Sequence, residues 1–205
     1  MSTNPKRVKE ICSIAKASCP LWVSDVGRLS CLIKLVDKVE HLKGDIVELG
    51  VFEGQTAKVL ALAAPTKTVH LFDTFKGIPE KALSSNDLSK LKGAFYSPIV
   101  HEGYVRNALS DCSNVTFHVG LIEETVPVFK VSSLSFIHFD CDTYNGHAIG
   151  LKFLWPMLEV GGYCLFHDYA CKDCAGVPKA VNEFFGADSK NLRLVAGGFL
   201  IEKKR

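Results

Sequence analysis

Asp45-Ile-Val-Glu-Leu-Gly-Val-Phe-Glu-Gly-Gln-Thr56 reads as a buried strand running into a tight turn and then a helix. Ile46, Val47 and Leu49 supply the β-rich apolar run. Gly50 and Gly54 bracket a turn where a side chain would obstruct a ligand, and Thr56-Ala-Lys-Val-Leu-Ala-Leu-Ala-Ala64 is a strong helix former. A strand, a glycine turn and a helix N-terminus together form a site for a small polar ligand at the end of a parallel sheet.

Working outward, four more strands end in polar punctuation. Thr68–Phe72 stops at Asp73, Val115–Val119 at Gly120, Leu134–Phe139 at Asp140-Cys-Asp142, and Tyr163–Phe166 at His167-Asp168. Gly161-Gly162 reads as the turn into the fifth strand. Helices are expected at 146–158 and 177–185, and Leu192–Val195 with Phe199–Ile201 closes the chain as a hairpin. The alternation predicts a doubly wound, mostly parallel Rossmann-like α/β sheet with helices on both faces and a C-terminal antiparallel hairpin. Ligands of such sheets bind at the C-terminal strand ends, where all this punctuation falls.

The chain has 205 residues, room for one domain with a sizeable core. Its 24 basic and 22 acidic residues are dispersed, the longest basic block being Lys203-Lys204-Arg205, so nucleic acid is not expected as a partner. No apolar stretch approaches a membrane span. Met1–Glu10 is polar and lysine-rich with no apolar segment behind it, and several of the eight cysteines sit inside apolar runs. A reducing, cytoplasmic setting is the expectation.

Residues 1–43 carry two apolar stripes at helical spacing, Val8 to Ala15 and Leu29 to Val39, separated by Cys19-Pro20. They read as a helical cap or lid on a 44–205 domain, or as a contact for a homo-oligomer. Residues 80–110 are irregular, a substrate lid or a solvated connector.

The dinucleotide fingerprint G-x-G-x-x-G is absent, and Glu48-x-Gly50-x-x-x-Gly54 stands in its place. Asp73 lies 23 residues after Gly50, where a carboxylate can accept both hydroxyls of a ribose; the plainer reading is a turn cap. A wide glycine turn and a ribose acid suit an adenosine ligand without a pyrophosphate, and S-adenosylmethionine fits. Phe75 packs either on the adenine or on the sheet. Asp140, Asp142 and Asp168 converge from adjacent strand ends and repel unless a cation or proton compensates, so a hard ion such as Mg²⁺ is expected. Cys171-x-x-Cys174 has no second pair at zinc-finger spacing and reads as incidental, and His118 and His138 read as structural.

From about Gly44 to Phe185 the chain resembles the macrocin O-methyltransferase (TylF-type) family of S-adenosylmethionine- and Mg²⁺-dependent sugar O-methyltransferases. The motifs are Val47 to Gly54, Leu71 to Pro79, Gly120 with Thr125-Val-Pro127, Asp140-x-Asp142-x-Tyr144, and Gly161-Gly-Tyr through His167-Asp-Tyr169 with Gly176 to Phe184. The resemblance implies that Glu48, Gly50, Gly54 and Thr56 border the methionine part of the cofactor. It places Asp73 on the ribose, with Thr74, Phe75, Gly120 and Asp140 completing the cofactor wall. Asp140 and Asp168 would hold the metal, and Asp142 would be the general base.

His167 departs from the pattern, since the antibiotic-pathway enzymes carry an acid there. A neutral imidazole could ligate a softer ion such as Mn²⁺, Fe²⁺ or Zn²⁺, act as a second base, or stay structural. The expected substrate is a small hydroxylated molecule, a sugar or vicinal diol. The competing readings are a catechol-type O-methyltransferase and a non-catalytic S-adenosylmethionine-binding protein.

Overall fold

The computed structural model describes residues 4–21 and 24–204. Parts of the polar Met1–Glu10 stretch, Trp22 and Val23 of the 1–43 cap, and Arg205 of the terminal basic run lie outside the described residues.

Seven strands form one sheet in the order β3-β2-β1-β4-β5-β7-β6. They are β1 (Asp45–Leu49), β2 (Val69–Asp73), β3 (Val115–Val119), β4 (Leu134–Phe139), β5 (Leu158–Phe166), β6 (Arg193–Val195) and β7 (Gly198–Glu202). β1 to β5 pair in parallel, and β7 inserts antiparallel between β5 and β6. The central strands β1 and β4 are the most buried, as expected where helices cover both faces.

The helices are α1 (Pro5–Ser18), α2 (Val26–Lys38), α3 (Gln55–Ala63), α4 (Glu102–Ala108), α5 (Ile122–Thr125), α6 (Tyr144–Leu154) and α7 (Gly176–Phe185). Strand period 2 sorts the core into two layers. Ile46, Leu71, Phe136 and Leu165 face Leu29, Leu32, Ile33 and Leu60 of α2 and α3. Val47, Leu49, Ile137, Phe139 and Phe166 face Leu151, Leu154, Val177 and Val181 of α6 and α7. α1 and α2 pack beside α3 within the first layer, with Ile11, Ala15 and Val36 all buried.

Two local expectations are revised. Gly161-Gly162 is not a turn before β5: the strand begins at Leu158, and the glycines form an irregularity inside it, where pairing with β4 shifts register. Gly161 sits at φ +88°, which relieves the extra residues without breaking the strand. The helix expected over 146–158 is α6, Tyr144–Leu154; a 3₁₀ turn follows over Trp155–Met157, and Leu158 already opens β5. Among the described residues no helix is long and apolar enough to cross a membrane.

Candidate active site

A cavity of about 490 Å³ opens at the C-terminal ends of β1 to β5. The five polar strand ends therefore converge on one space. Gly50, Thr56, Asp73, Thr74, Phe75, Gly120, Asp140, Asp142, His167 and Asp168 all line it.

Its floor is the glycine turn. Gly50 has φ +85°, and a Cβ there would lie 2.1 Å from the Asp140 carbonyl oxygen, so the β1 turn can lie against β4 only with glycine. Asp73 braces the same turn. One carboxylate oxygen accepts the N–H groups of Val51 (2.7 Å) and Phe52 (2.9 Å), and the other accepts that of Phe75 (2.7 Å). A carboxylate has about four acceptor positions; backbone N–H groups take three of those of Asp73, which also lines the cavity. Thr74 caps its own turn by donating to the Gly77 carbonyl at 2.8 Å, and Phe75 is buried, tilted against Phe117.

Among the described residues four non-glycine residues have positive φ: Phe52, Phe75, Phe95 and Asp142. All four line this cavity. Each such conformation costs roughly 1–3 kcal/mol, and strain of this kind concentrates at ligand sites.

Glu48 is corrected. It shares the face of Ile46, so it points beneath α3 and away from the cavity. There it pairs with His138, its register partner on β4, at 2.8 Å with both side chains fully buried. Burial raises the Glu48 pKa, opposed by the His138 contact. Gly54 lies between the lining residues Glu53 and Gln55 without lining the cavity itself, and starts α3 in the left-handed region, packed against Val105.

The opposite wall holds the acids. Asp140 accepts from Arg28 of α2 with one oxygen and from His167 Nδ1 with the other (2.8 Å). His167 Nδ1 is shared with Asp168 at 2.7 Å. Burial tends to raise the Asp140 pKa, yet Arg28 and His167 hold it well below the usual carboxylate range. Burial likewise disfavours imidazolium at His167, but hydrogen bonds to Asp140 and Asp168 raise its pKa to about 10. Asp142 is pushed up to about 8 by burial and then by Asp168 and Asp140.

The donor atoms of Asp140, His167 and Asp168 lie within 4.8 Å of one another. Asp168 is buried, and its Oδ2 has no hydrogen-bond partner among the described residues. An unpartnered buried carboxylate oxygen beside two further ligating groups fits a divalent cation.

Two site residues escaped the sequence reading. Arg28 precedes the buried stripe of α2 and carried no motif. Cys174 donates its thiol to Asp142 Oδ1 (3.4 Å), having been weighed only as half of a Cys-x-x-Cys pair. The 80–110 segment contains two short 3₁₀ turns, Glu80–Ala82 and Ser89–Leu91, and contributes Ala82, Leu91 and Phe95 to the cavity wall. Asp87 anchors it by accepting the Tyr144 N–H at the start of α6, at 2.8 Å.

The model of the macrocin-O-methyltransferase (TylF) family matches residues 23–192. The chain belongs to this family. Among curated relatives, this TylF-family chain is 30% identical over 160 residues to the 8-demethyl-8-(2,3-dimethoxy-alpha-L-rhamnosyl)-tetracenomycin-C 4'-O-methyltransferase of Streptomyces olivaceus, covering 72% of the chain and 60% of the relative. It is 27% identical over 173 residues to the demethyldecarbamoylnovobiocin O-methyltransferase of Streptomyces niveus, covering 78% and 65% respectively. The chain thus spans somewhat under two thirds of these relatives' lengths. Among solved structures, the O-methyltransferase NovP superposes with a TM-score of 0.81 at 21% identity, covering 97% of this chain and all of that one. That likeness establishes the methyltransferase fold.

Proposed function

We propose that the chain is an S-adenosylmethionine-dependent O-methyltransferase acting on a hydroxyl of a small sugar or vicinal diol, with a divalent cation held by Asp140, His167 and Asp168. One observation carries the reading: a single cavity joins the glycine turn and Asp73 on one wall to Asp140, Asp142 and Asp168 on the other. The relatives' names, which describe O-methylation of antibiotics and in one case of a rhamnosyl compound, support a glycosidic acceptor.

The residues divide the work. The Gly50 turn gives close backbone approach for the donor, and Asp73 uses its open acceptor position for a ribose hydroxyl. S-adenosylmethionine supplies the sulfonium methyl group. A cation, when bound, acts as a Lewis acid that lowers the pKa of a coordinated alcohol. Asp142 faces the same space and takes the hydroxyl proton as the alcohol attacks. The 80–110 segment, tied down through Asp87, supplies part of the cavity wall and keeps bulk water from the reacting groups.

Calorimetric titration with S-adenosylmethionine tests the donor, since absence of binding removes the proposal at its root. Methylation of glycosides but not catechols separates the sugar reading from the catechol one. Loss of activity with EDTA, restored by one divalent ion, tests the cation.

A further inference from the structure

Asp142 sits in a backbone conformation that a non-glycine residue does not favour. Its φ is +61°, and across it the Thr143 N–H donates to the Cys141 carbonyl at 2.7 Å, a three-residue turn of the strained hand. Such a conformation persists only where its surroundings over-determine it. The turn runs straight into α6, whose N-cap Thr143 accepts the Gly146 N–H at 3.2 Å. The Tyr144 amide between them is one of the donors that a helix cannot satisfy internally. Asp87 takes it. One carboxylate oxygen accepts the Tyr144 N–H at 2.8 Å, and the other accepts the N–H (2.8 Å) and hydroxyl (2.9 Å) of Ser84 in its own segment.

The fold leaves a fitted space for this carboxylate. A Cβ on Gly176, the first residue of α7, would lie 2.2 Å from Asp87 Oδ1 and 2.8 Å from the Tyr144 Cβ. Gly176 is not among the glycines with positive φ, so the room it leaves for Asp87, not turn geometry, calls for glycine there. The same segment is tied to its neighbours at three further points. Asn145 donates to the Ala82 carbonyl (3.2 Å), Lys179 donates to Asn86 (2.6 Å), and Lys90 pairs with Asp173.

We infer that Asp87 is a positioning residue for the base: lodged between the starts of α6 and α7, it holds the corner from which Asp142 presents its carboxylate to the cavity. The inference rests on the role proposed for Asp142 above. Ala82 and Leu91 of the same segment line the cavity, so docking of this wall and alignment of the base are one event.

Crystal structures of wild type, Asp87→Ala and Gly176→Ala read the placement directly. Asp142 is expected at positive φ in the wild type and relaxed to negative φ in both variants; an unchanged Asp142 turn in D87A overturns the inference. Turnover is then read with tritiated-methyl S-adenosylmethionine and simple methyl glycosides as acceptors. D87A and G176A should each lower turnover at saturating acceptor by at least about tenfold, with about 10²-fold the scale for an ångström of misplacement, while calorimetry shows unchanged donor affinity. D87N, which keeps one oxygen for the Tyr144 N–H, should recover part of the loss. The deciding arm is the Asp142→Asn background, where D87A and G176A should cost nothing further. Equal losses in both backgrounds, or a change confined to acceptor KM, make Asp87 a wall anchor only and overturn the positioning role. Wild-type turnover in D142N alone removes the base reading, and the inference with it. Where D87A fails to fold, G176A and D87N carry the same comparisons.

Discussion

Arg28 and Asp140 are 112 residues apart in the chain and form an ion pair across the mouth of the cavity. The pair ties α2 to the end of β4 and sets a fixed positive charge against a proposed metal ligand. A guanidinium and a divalent ion then compete for one carboxylate. Replacing Arg28 with Met keeps much of the apolar stem and removes the charge. The expected result is a gain of roughly tenfold or more in divalent-ion affinity, on the scale of one unit charge a few ångströms away at effective dielectric ~20. Dialysis of wild type and R28M against the same ion checks it. Unchanged or weaker binding means that the arginine does not compete with the ion.

The proposed function gives Asp142 the proton-transfer role, so Asp142→Asn is expected to lower turnover by about 10²–10⁴-fold, the usual contribution of a general base. Donor affinity should be retained, because the glycine turn and Asp73 lie on the other wall. The base must be ionised to work, and burial with Asp168 and Asp140 places its pKa at about 8. Activity at low cation occupancy should therefore be small at pH 6 and rise through about pH 8. Added cation should move the rise to lower pH by compensating the neighbouring charges. A pH–rate profile that does not move with cation concentration would separate Asp142 from the ion.

Asp73 bears a structural load and, in the proposed function, a second one toward the donor. Asp73→Ala leaves the N–H groups of Val51, Phe52 and Phe75 without their acceptor, at a cost on the order of 1–3 kcal/mol. Donor affinity should fall by more than stability alone explains. Asp73→Asn is the sharper variant: its one amide oxygen still accepts the N–H groups of Val51 and Phe52 while that of Phe75 loses its acceptor, so folding should suffer less than in D73A while ribose binding weakens. Calorimetry on folded D73N reads the second load, and wild-type donor affinity there would leave Asp73 as a turn brace only.

The parallel strands were legible because each ran up to glycine or a polar residue at its end: Gly50, Asp73, Gly120, Asp140 and His167. Those ends also located the cavity, since a parallel sheet puts them on one rim. What local pattern could not show was depth. Glu48 sits inside a ligand motif, and only strand parity together with its register against His138 turns it beneath α3. Arg28 enters the site from α2 and Cys174 from the loop before α7, and both placements depend on tertiary packing, which no short motif encodes. Glu48→Gln accordingly should reduce stability while changing donor affinity less than about threefold, and chemical denaturation beside calorimetry distinguishes the two effects.

His147 gives the fold a pH dependence that is separate from catalysis. It is fully buried, stacked on Phe139, and its Nδ1 contacts the Thr143 carbonyl at 2.8 Å. Burial lowers its pKa below 6.5, outweighing the hydrogen bond to Thr143. The folded state therefore binds fewer protons than the unfolded one below pH 6.5. Stability from this residue is complete above that pH and is lost as pH falls from 6.5 toward the lowered value, at up to about 1.4 kcal/mol per unit. His118, also lowered by burial, acts in the same direction. His167, raised to about 10, acts oppositely: its stabilisation is present below 6.5 and is lost as pH rises toward 10. Asp142, raised to about 8, also removes stability as pH rises from about 4 to 8, so the wild-type curve alone mixes the terms. His147→Asn keeps an amide that can reach the Thr143 carbonyl and cannot be protonated. Its denaturation curve should fall less steeply than the wild type's between pH 6.5 and 5, and parallel curves would remove His147 as the buried proton acceptor.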